Sequence, residues 1–320
     1  MTNKFVKKIL IFLVPIAVSL LLVEYFVRDI PNDYILKREY LDKNATDVET
    51  IILGSSHTYV SLNPELFSSK TFNAAKELQD IQYDHEIFNK YKEEFKNNLK
   101  TIIIPISYPS LWSNLSEQKS SEFDLKNNSY RMFYGFKKNT FSLYDYSYIL
   151  SFDCRELSSE LFSYYILGST NMVHCNTLGW KKRPKTELDT NYLKNTALKQ
   201  NKFHTVKDLN DEAAKRNFEQ NNKCLQHIIK WGKNNNVNIV LLTTPKYKFY
   251  RALANKEQYK IMHNTIDNFA KQNTNCYYLN LAASEDFEDG DFADSGHLNE
   301  LGAIKLSNKV NDFIETEIKP

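Results

Sequence analysis

Short apolar runs alternate with amphipathic stretches along most of this chain, beginning near residue 50. The runs that predict strands are rich in β-branched and aliphatic residues and lie at 50–53, 71–74, 101–107, 237–244 and 276–281. Each run is apolar along its whole length, as expected for strands that are covered on both faces of a parallel sheet. Alternation of such strands with helices predicts an α/β fold with helices on both faces of the sheet.

Apolar residues between these runs recur at helical spacing. The segments that follow this period are 78–95, 211–235, 256–271 and a last one from about 299 to 318. In the first of them, Ile81, Ile87, Phe88 and Tyr91 fall close to one face of a helix. We interpret all four as helices that face the core, and we assign them no chemistry.

One segment, residues 108–210, interrupts the pattern between the third and fourth predicted strands. It is too long for an ordinary loop, and it predicts short helices at 144–150 and 157–167 and an extended stretch at 181–190. We interpret it as an insertion over the carboxyl edge of the sheet, where ligands bind in open α/β folds. Its large side chains either form its own core, which is the preferred interpretation, or stack on sugar rings. They are Tyr108, Trp112, Tyr130, Arg131, Tyr134 and Trp180.

The first thirty residues differ from the rest of the chain. Lys4, Lys7 and Lys8 precede an apolar run over residues 9–27, which has the length of ~20 residues that a bilayer requires. The basic flank predicts a single membrane-spanning anchor with the remaining chain outside the cytoplasm. A cleaved signal peptide and a buried core helix are the alternatives, but no small-residue cleavage pattern follows the run. The predicted organisation is an anchor at 1–30, a connector at 31–48 and an α/β domain at 49–320.

Composition and charge exclude some classes of function. The 320 residues are 42% hydrophobic and 25% charged, enough for one large domain or two small ones. A net charge of +2 provides no field for a polyanion, so nucleic acid is not an expected partner.

The four cysteines do not predict a metal site. Cys154, Cys175, Cys224 and Cys276 are too widely spaced for zinc, and no histidine lies at ligand spacing from any of them. Outside the cytoplasm, Cys154 and Cys175 could close a disulfide, whereas Cys224 occupies an apolar helix position.

Two short motifs at opposite ends of the α/β pattern carry the candidate chemistry. Gly54-Ser55-Ser56-His57 follows the first predicted strand, and Asp294-Ser295-Gly296-His297 precedes the last predicted helix. A serine nucleophile needs a neighbouring base, and the base needs an acceptor that holds its tautomer. Ser56, His297 and Asp294 could fill these roles, while Gly54 permits the tight turn that exposes the hydroxyl.

Each motif alone is a weak signal, because the first resembles an ordinary serine-rich turn. Asp294 could simply cap the final helix, and His297 could be a surface residue. Their joint occurrence favours a catalytic triad. His57 is expected to be a capping or surface residue, and His85, His174, His204, His227 and His263 lack a partner pattern.

These motifs resemble those of the SGNH, or GDSL-like, hydrolases over roughly residues 48–320, with the insertion excluded. The resemblance implies a three-layer, flavodoxin-like α/β fold and identifies Ser56 as nucleophile, with Asp294 and His297 as its partners. The middle blocks differ from the family pattern. Ala74 and Ala75 stand where the oxyanion-hole glycine is expected, so a backbone N–H of one of them would donate instead. Ser107 stands in place of the oxyanion-hole asparagine, and loss of one such donor costs about two to three orders of magnitude in rate.

The anchored architecture resembles that of the D-alanyl-transfer proteins and polysaccharide O-acyltransferases among the relatives of this family. This implies an extracytoplasmic serine acyltransferase or esterase that acts on O-acyl groups, chiefly O-acetyl groups, of a cell-surface polysaccharide. Such chemistry requires no metal and no cofactor, but a transferase would need a membrane-bound partner that delivers the acyl group. The alternative is a non-catalytic SGNH-like domain that binds glycan or acts as a scaffold in a cell-envelope assembly.

Overall fold

The computed structural model separates into two compact units. It describes residues 2–118, 121–136, 146–151, 154–186 and 189–318. The first unit holds Met1–Arg38 and Ser116–His174, and the second holds Glu39–Leu115 and Cys175–Pro320. The segment predicted as an insertion, 108–210, contributes residues to both units.

The helices of the described residues account for every helix predicted from the pattern. In chain order they are α1 Thr2–Asp29, α2 Asp33–Asn44, α3 Ser56–Tyr59, α4 Ile81–Phe95, α5 Ser121–Ser129, α6 Tyr148–Ser151, α7 Cys154–Tyr165, α8 Thr190–His204, α9 Glu212–Asn234, α10 Lys248–Leu253, α11 Lys256–Gln272 and α12 Glu300–Glu317. The four predicted core helices are α4, α9, α11 and α12. The two short helices predicted in the insertion are α6 and α7, although residues 144 and 145 lie outside the described part of the chain.

Five parallel strands form the sheet of the second unit, and all five were predicted. They are β1 Thr50–Ile52, β2 Thr71–Asn73, β3 Thr101–Pro105, β4 Asn238–Thr243 and β5 Cys276–Asn280. Their order is β2-β1-β3-β4-β5, with every neighbouring pair parallel. This is the flavodoxin-like order, in which β1 lies between β2 and β3. The predicted α/β fold class is confirmed.

Both faces of the central strands are buried, which explains the apolar runs of β3 and β4. Ile52, Ile103 and Val240 lie in register across three strands and pack with Leu306 and Val310 of α12. On the opposite face, Ile239 approaches Gly232 of α9 so closely that an added Cβ there would lie 3.0 Å from its Cδ1 atom. Helices therefore flank the sheet on both sides, and the loops at its carboxyl edge are left to carry function.

Helices α2 and α8 are among those that were not predicted, and both have polar sequences. The predicted connector at 31–48 contains α2, where the Asn32 side chain accepts hydrogen bonds from the N–H groups of Tyr34 (3.0 Å) and Ile35 (3.2 Å). Such a cap stabilises the first turn without any apolar stripe. Helix α8 buries only Leu193, Ala197 and Asn201, a spacing of four residues that includes an asparagine and so gives little hydrophobic signal.

The first unit contains the apolar amino-terminal helix and an aromatic cluster. The most apolar window of α1 has a mean hydropathy of 2.5 and is not buried, so this helix can cross a membrane as an anchor or act as a signal sequence. Tyr34 packs edge-on against Tyr130 with ring centres 5.1 Å apart, and Phe133 packs against Tyr148 at 5.7 Å. Buried Tyr130, Arg131 and Tyr134 thus belong to the core of this unit, as the preferred interpretation held.

Candidate active site

The turn after β1 carries Ser56 at the carboxyl edge of the sheet. Gly54 has a φ of +107°, and an added Cβ would lie 1.9 Å from Cγ of Pro105 at the end of β3. The Gly54 N–H donates a hydrogen bond of 2.7 Å to the buried carboxyl of Asp84, whose pKa burial raises to about 7. Only glycine fits this close approach, and the turn leaves Ser56 as the first residue of α3, partly open to solvent.

The structure brings Ser56, His297 and Asp294 together in one hydrogen-bonded row. Ser56 Oγ lies 2.7 Å from His297 Nε2. His297 Nδ1 lies 2.8 Å and 3.0 Å from the two carboxylate oxygens of Asp294. These distances are within the reach that proton transfer and tautomer control require.

A small hairpin fixes the spacing of the aspartate and the histidine. Strands β6 Phe292–Asp294 and β7 His297–Leu298 are antiparallel, and Asp294 is directly paired with His297. The Asp294 carboxylate also accepts hydrogen bonds from the N–H groups of Gly296 (2.9 Å) and His297 (3.0 Å). Asp294 and His297 are therefore three residues apart because a hairpin turn joins them and its N–H groups surround the carboxylate.

Two further side chains hold the Asp294 carboxylate. Arg183 donates a hydrogen bond of 2.9 Å to Oδ2, and Gln200 of α8 donates one of 2.9 Å to Oδ1. Burial alone would raise the pKa of Asp294, but the hydrogen bond and charge of His297, the Gln200 amide and the Arg183 guanidinium together hold that pKa well below its usual range. Asp294 is therefore ionised at neutral pH. Arg183 and Gln200 come from the predicted insertion, which in this part does contribute to the site.

The three expected oxyanion donors are engaged within the protein. Ala74 N–H donates to the Ile52 carbonyl (2.8 Å), which extends the β1–β2 ladder, and Ala75 N–H donates to the Asn73 side chain (3.0 Å). Ser107 donates its N–H to Ser110 Oγ (2.8 Å), and the two hydroxyls lie 2.9 Å apart. Each of these three N–H groups therefore already has an acceptor within the protein.

The backbone amide of Ser56 is an available donor in the nucleophile turn. Among the described residues, the Ser56 N–H donates no hydrogen bond to a protein acceptor. It belongs to the nucleophile itself, so it lies close to any oxyanion that forms on a carbonyl attacked by Oγ.

Two histidines lie beside the triad, and sequence reasoning assigned neither of them to the site. His57 is buried rather than exposed as expected, and its ring stacks on that of His297 with centres 5.1 Å apart. His204 lies 6.2 Å from His57, and its Nδ1 is 2.7 Å from the Tyr250 hydroxyl. Burial lowers the pKa of His57 well below its usual value and that of His204 to about 3. Both rings are therefore neutral near pH 7.

Lys246, beyond the end of β4, supports the turn between Asp294 and His297. Its Nζ donates a hydrogen bond of 2.6 Å to the Gly296 carbonyl, and the Tyr247 N–H donates to the Ser295 carbonyl at 3.0 Å. The side chain is buried, which lowers the pKa of Lys246 to about 7 against the opposing effect of the Asp294 charge. The sequence offered only one hint of this residue, its position at the carboxyl end of a predicted strand.

A cavity of about 300 Å³ lies at the carboxyl ends of the strands and reaches Lys246. Its walls include the rings of Tyr108, Tyr250 and Tyr259, and Arg251 and Lys256 lie at its exposed edge. None of the described residues that line it carries a carboxylate. Among the described residues, no group of three or more histidine, cysteine, aspartate or glutamate side chains is placed to hold a metal ion.

Other residues singled out from the sequence serve the core. Trp180 donates its indole N–H to the Val60 carbonyl at 2.9 Å, and Trp112 packs on Phe218 with ring centres 5.3 Å apart. Cys224 is half-buried on α9. The side chain of Cys154 lies outside the described residues, so its pairing with Cys175 stays a prediction.

Comparison with known proteins returns structural neighbours only. No family model and no curated protein matches the chain. A solved structure described as an acylhydrolase from Bacteroides fragilis is 9% identical, with 88% of this chain and 96% of that chain covered and a TM-score of 0.42. A GDSL-like lipase from Bacteroides thetaiotaomicron is 8% identical, with 89% and 100% covered and a TM-score of 0.40.

A lipase/acylhydrolase from Enterococcus faecalis is likewise similar, with 12% identity, 85% of this chain and 98% of that chain covered and a TM-score of 0.39. These are proteins that the chain resembles at a distance. Function is therefore inferred from the side chains around Ser56.

Proposed function

We propose that the chain is a serine-dependent acyl-transferring enzyme of the SGNH type. The observation that carries this proposal is the unbroken row from Ser56 Oγ through the His297 ring to the Asp294 carboxylate. The Ser56 hydroxyl lies 2.7 Å from the imidazole Nε2 and can pass its proton to that nitrogen as it attacks a carbonyl.

The reaction follows from these contacts in two balanced halves. Ser56 Oγ attacks the acyl carbonyl while His297 Nε2 takes its proton, and the oxyanion that forms accepts a hydrogen bond from the Ser56 N–H. Collapse expels the alcohol, which takes the proton back from His297, and leaves the acyl group on Ser56. Water or a second alcohol then attacks the acyl-serine while His297 Nε2 takes its proton, and Ser56 Oγ takes that proton back as the acyl product leaves.

Asp294 keeps the imidazole in the productive tautomer. Because it is ionised and accepts a hydrogen bond from the Nδ1–H, the unprotonated Nε2 faces Ser56. Arg183 and Gln200 stabilise this carboxylate and limit its rotation, so they are positioning residues.

We propose O-acyl groups, chiefly O-acetyl groups, of a cell-surface polysaccharide as the substrate. Two features support this. Helix α1 and its basic flank are compatible with an anchor that leaves the catalytic unit outside the cytoplasm. The cavity beside Lys246 presents tyrosine rings of the kind that pack against sugars, together with cations that suit an acidic sugar. A transferase in this location would receive its acyl group from a membrane-bound partner.

A fluorophosphonate probe tests the serine chemistry in the full chain. We expect covalent labelling of the wild type and of Ser55→Ala, and none of Ser56→Ala. The neighbouring serine is a matched control, because Ser55 Oγ faces His57 and makes no contact with His297. Labelling that survives in Ser56→Ala would contradict the assignment.

A second candidate function is a glycan-binding or scaffold domain without catalysis. It is favoured by one observation, that Ala74, Ala75 and Ser107 already use their N–H groups within the protein. Glycan binding by a folded protein that no serine probe labels would support it. If labelling occurs, the products formed with water and with an oligosaccharide acceptor separate the esterase from the transferase.

A further inference from the structure

The first unit exposes several large apolar side chains outside α1, on two helices that both contact α1. They lie on α6 and around the end of α7, and we call them the α6–α7 patch: Leu150, Phe162, Tyr165, Ile166 and Leu167. Ile166 and Leu167 are 68% and 64% exposed, although both follow directly on a helix. Contiguous apolar side chains are rarely left in water without a function in binding.

Helix α7 is attached to the carboxyl-terminal end of α1. The Tyr165 hydroxyl lies 2.9 Å from the Phe26 carbonyl oxygen, to which it donates, and 3.2 Å from the Asp29 carboxylate. The Tyr165 ring packs edge-on against Phe26 with ring centres 5.4 Å apart. The patch is thus held beside the last turns of α1 by polar and aromatic contacts.

Helix α6 is attached to the same end of α1 by a different residue. The Glu24 carboxylate accepts hydrogen bonds from Ser147 Oγ (2.9 Å) and from the N–H groups of Tyr148 (2.8 Å) and Ile149 (3.1 Å). These two N–H groups are donors at the start of α6 that would otherwise be unsatisfied. A charged residue in the apolar run is therefore explained as the cap of a neighbouring helix.

These contacts place the patch at one level along α1. A helix rises about 1.5 Å per residue, so the apolar run at 9–27 matches the ~30 Å hydrocarbon core of a bilayer and ends near Glu24 and Phe26. Tyr25, Phe26, Tyr164 and Tyr165 form a series of ring contacts at this level. Aromatic side chains of this kind collect at the boundary between lipid and water.

We propose that the α6–α7 patch inserts into the outer leaflet beside α1, so that the first unit contacts the membrane through a second, non-spanning element. Lipid is the occupant that fits, because the patch continues the exposed apolar surface of α1 and carries no charge. The charged residues Arg155 and Glu156 lie at the opposite end of α7. The inference requires α1 to remain attached as an anchor, and it does not depend on the chemistry of Ser56.

Depth-dependent quenching tests this in the full chain. An environment-sensitive fluorescent amino acid is placed at position 167, or at position 156 as control, and the protein is reconstituted in phosphatidylcholine and phosphatidylglycerol vesicles. We expect blue-shifted emission at position 167 and several-fold stronger quenching by lipids with brominated acyl chains than at position 156.

A second labelled protein carries the fluorescent amino acid at position 162, elsewhere in the α6–α7 patch. It shows whether the result at position 167 is caused by disturbance of the structure at that one position. Folding of each labelled protein is checked by circular dichroism. Water-exposed emission at both 162 and 167 would overturn the proposal. Emission that is blue-shifted but not quenched by brominated lipid would also overturn it, because a protein partner or a second copy would then cover the patch. Labelling of Ser56 by the fluorophosphonate probe is independent of either outcome.

Discussion

The two sides of the candidate site differ in how their polar groups are used. On the proton-relay side, Asp294 accepts hydrogen bonds from Arg183, Gln200 and the His297 ring, and every contact directs the relay toward Ser56. On the side where an oxyanion would form, the amides of Ala74 and Ala75 are occupied by the fold, and the Ser56 N–H remains. Hydrogen bonds within the protein thus fix the proton relay on one side and, on the other, engage the N–H groups that were expected to bind the oxyanion.

Two consequences follow from this difference. The reaction rate should fall strongly when His297 or Asp294 is replaced. It should fall only weakly when one of the residues that hold the Asp294 carboxylate is replaced, because the others still hold it. Because the amides of Ala74 and Ala75 are already engaged, we expect a slower enzyme than one with a full set of oxyanion donors, by about two to three orders of magnitude for each donor that is absent. Substitutions on the proton-relay side and on the oxyanion side should therefore differ in their effect on the rate.

The largest effect is expected from His297→Gln. Glutamine keeps a polar side chain but cannot act as a base, so hydrolysis of an activated aryl acetate should fall by about three orders of magnitude or more. His85→Gln is the matched control, since His85 pairs with His227 on α4 and α9 and is not in contact with the triad. A loss below tenfold in His297→Gln would show that the relay does not carry the reaction.

Asp294→Asn should reduce the same rate by about two to four orders of magnitude, because the amide favours the wrong imidazole tautomer. The pKa of this carboxyl is lowered by folding, so its contribution to stability is present above the unfolded pKa of about 3.9 and is lost as the pH falls through the folded value. Denaturation from neutral to strongly acidic pH should therefore show a steeper loss of stability in the wild type than in Asp294→Asn. Equal slopes would contradict the lowered pKa of the Asp294 carboxyl in the folded protein.

Lys246→Met removes the hydrogen bond from Lys246 to the Gly296 carbonyl, in the turn between Asp294 and His297. Burial lowers the pKa of Lys246 to about 7, whereas in the unfolded chain it is about 10.4. Between these values the unfolded state binds more protons, so the wild type should gain stability relative to Lys246→Met as the pH rises from about 7 to about 10. Urea denaturation at the two ends of this window measures the difference, and Lys246→Arg, which stays charged throughout, should show no such gain.

The smallest effect is expected from Ser107→Ala on the oxyanion side. The Ser107 hydroxyl faces Ser110 at 2.9 Å, so its removal should change the hydrolysis rate by less than about tenfold. A loss of about two to three orders of magnitude would restore Ser107 as an oxyanion donor. That result would remove the contrast between the two sides of the site.

What could be predicted from the sequence depended on how local the physical signal was. Short, mostly apolar runs such as Ile102-Ile103-Ile104 predicted all five strands of the sheet, because burial on both faces favours apolar side chains at successive positions. Ser56 and His297 could be paired because each stands at a recognisable boundary, one after a strand and one before a helix.

The remaining features depend on tertiary contacts. His204 lies on a helix whose buried face is Leu193, Ala197 and Asn201, too polar for the pattern to show. Lys246 belongs to a residue type that is rarely buried, and its place under Gly296 follows from the path of the chain after β4. Whether Ala74 N–H is open depends on the register of β1 and β2, which sequence alone does not define.

The central claim is that Ser56 takes an acyl group with His297 as its base. Intact-mass spectrometry of the full chain, treated with a slowly deacylating aryl ester, measures this directly, and peptide mapping locates the adduct. The account predicts one acyl group per chain, on Ser56, in the wild type and in Ser55→Ala, and almost none in His297→Gln. An adduct on another residue, or equal acylation of Ser56 in His297→Gln, would contradict it.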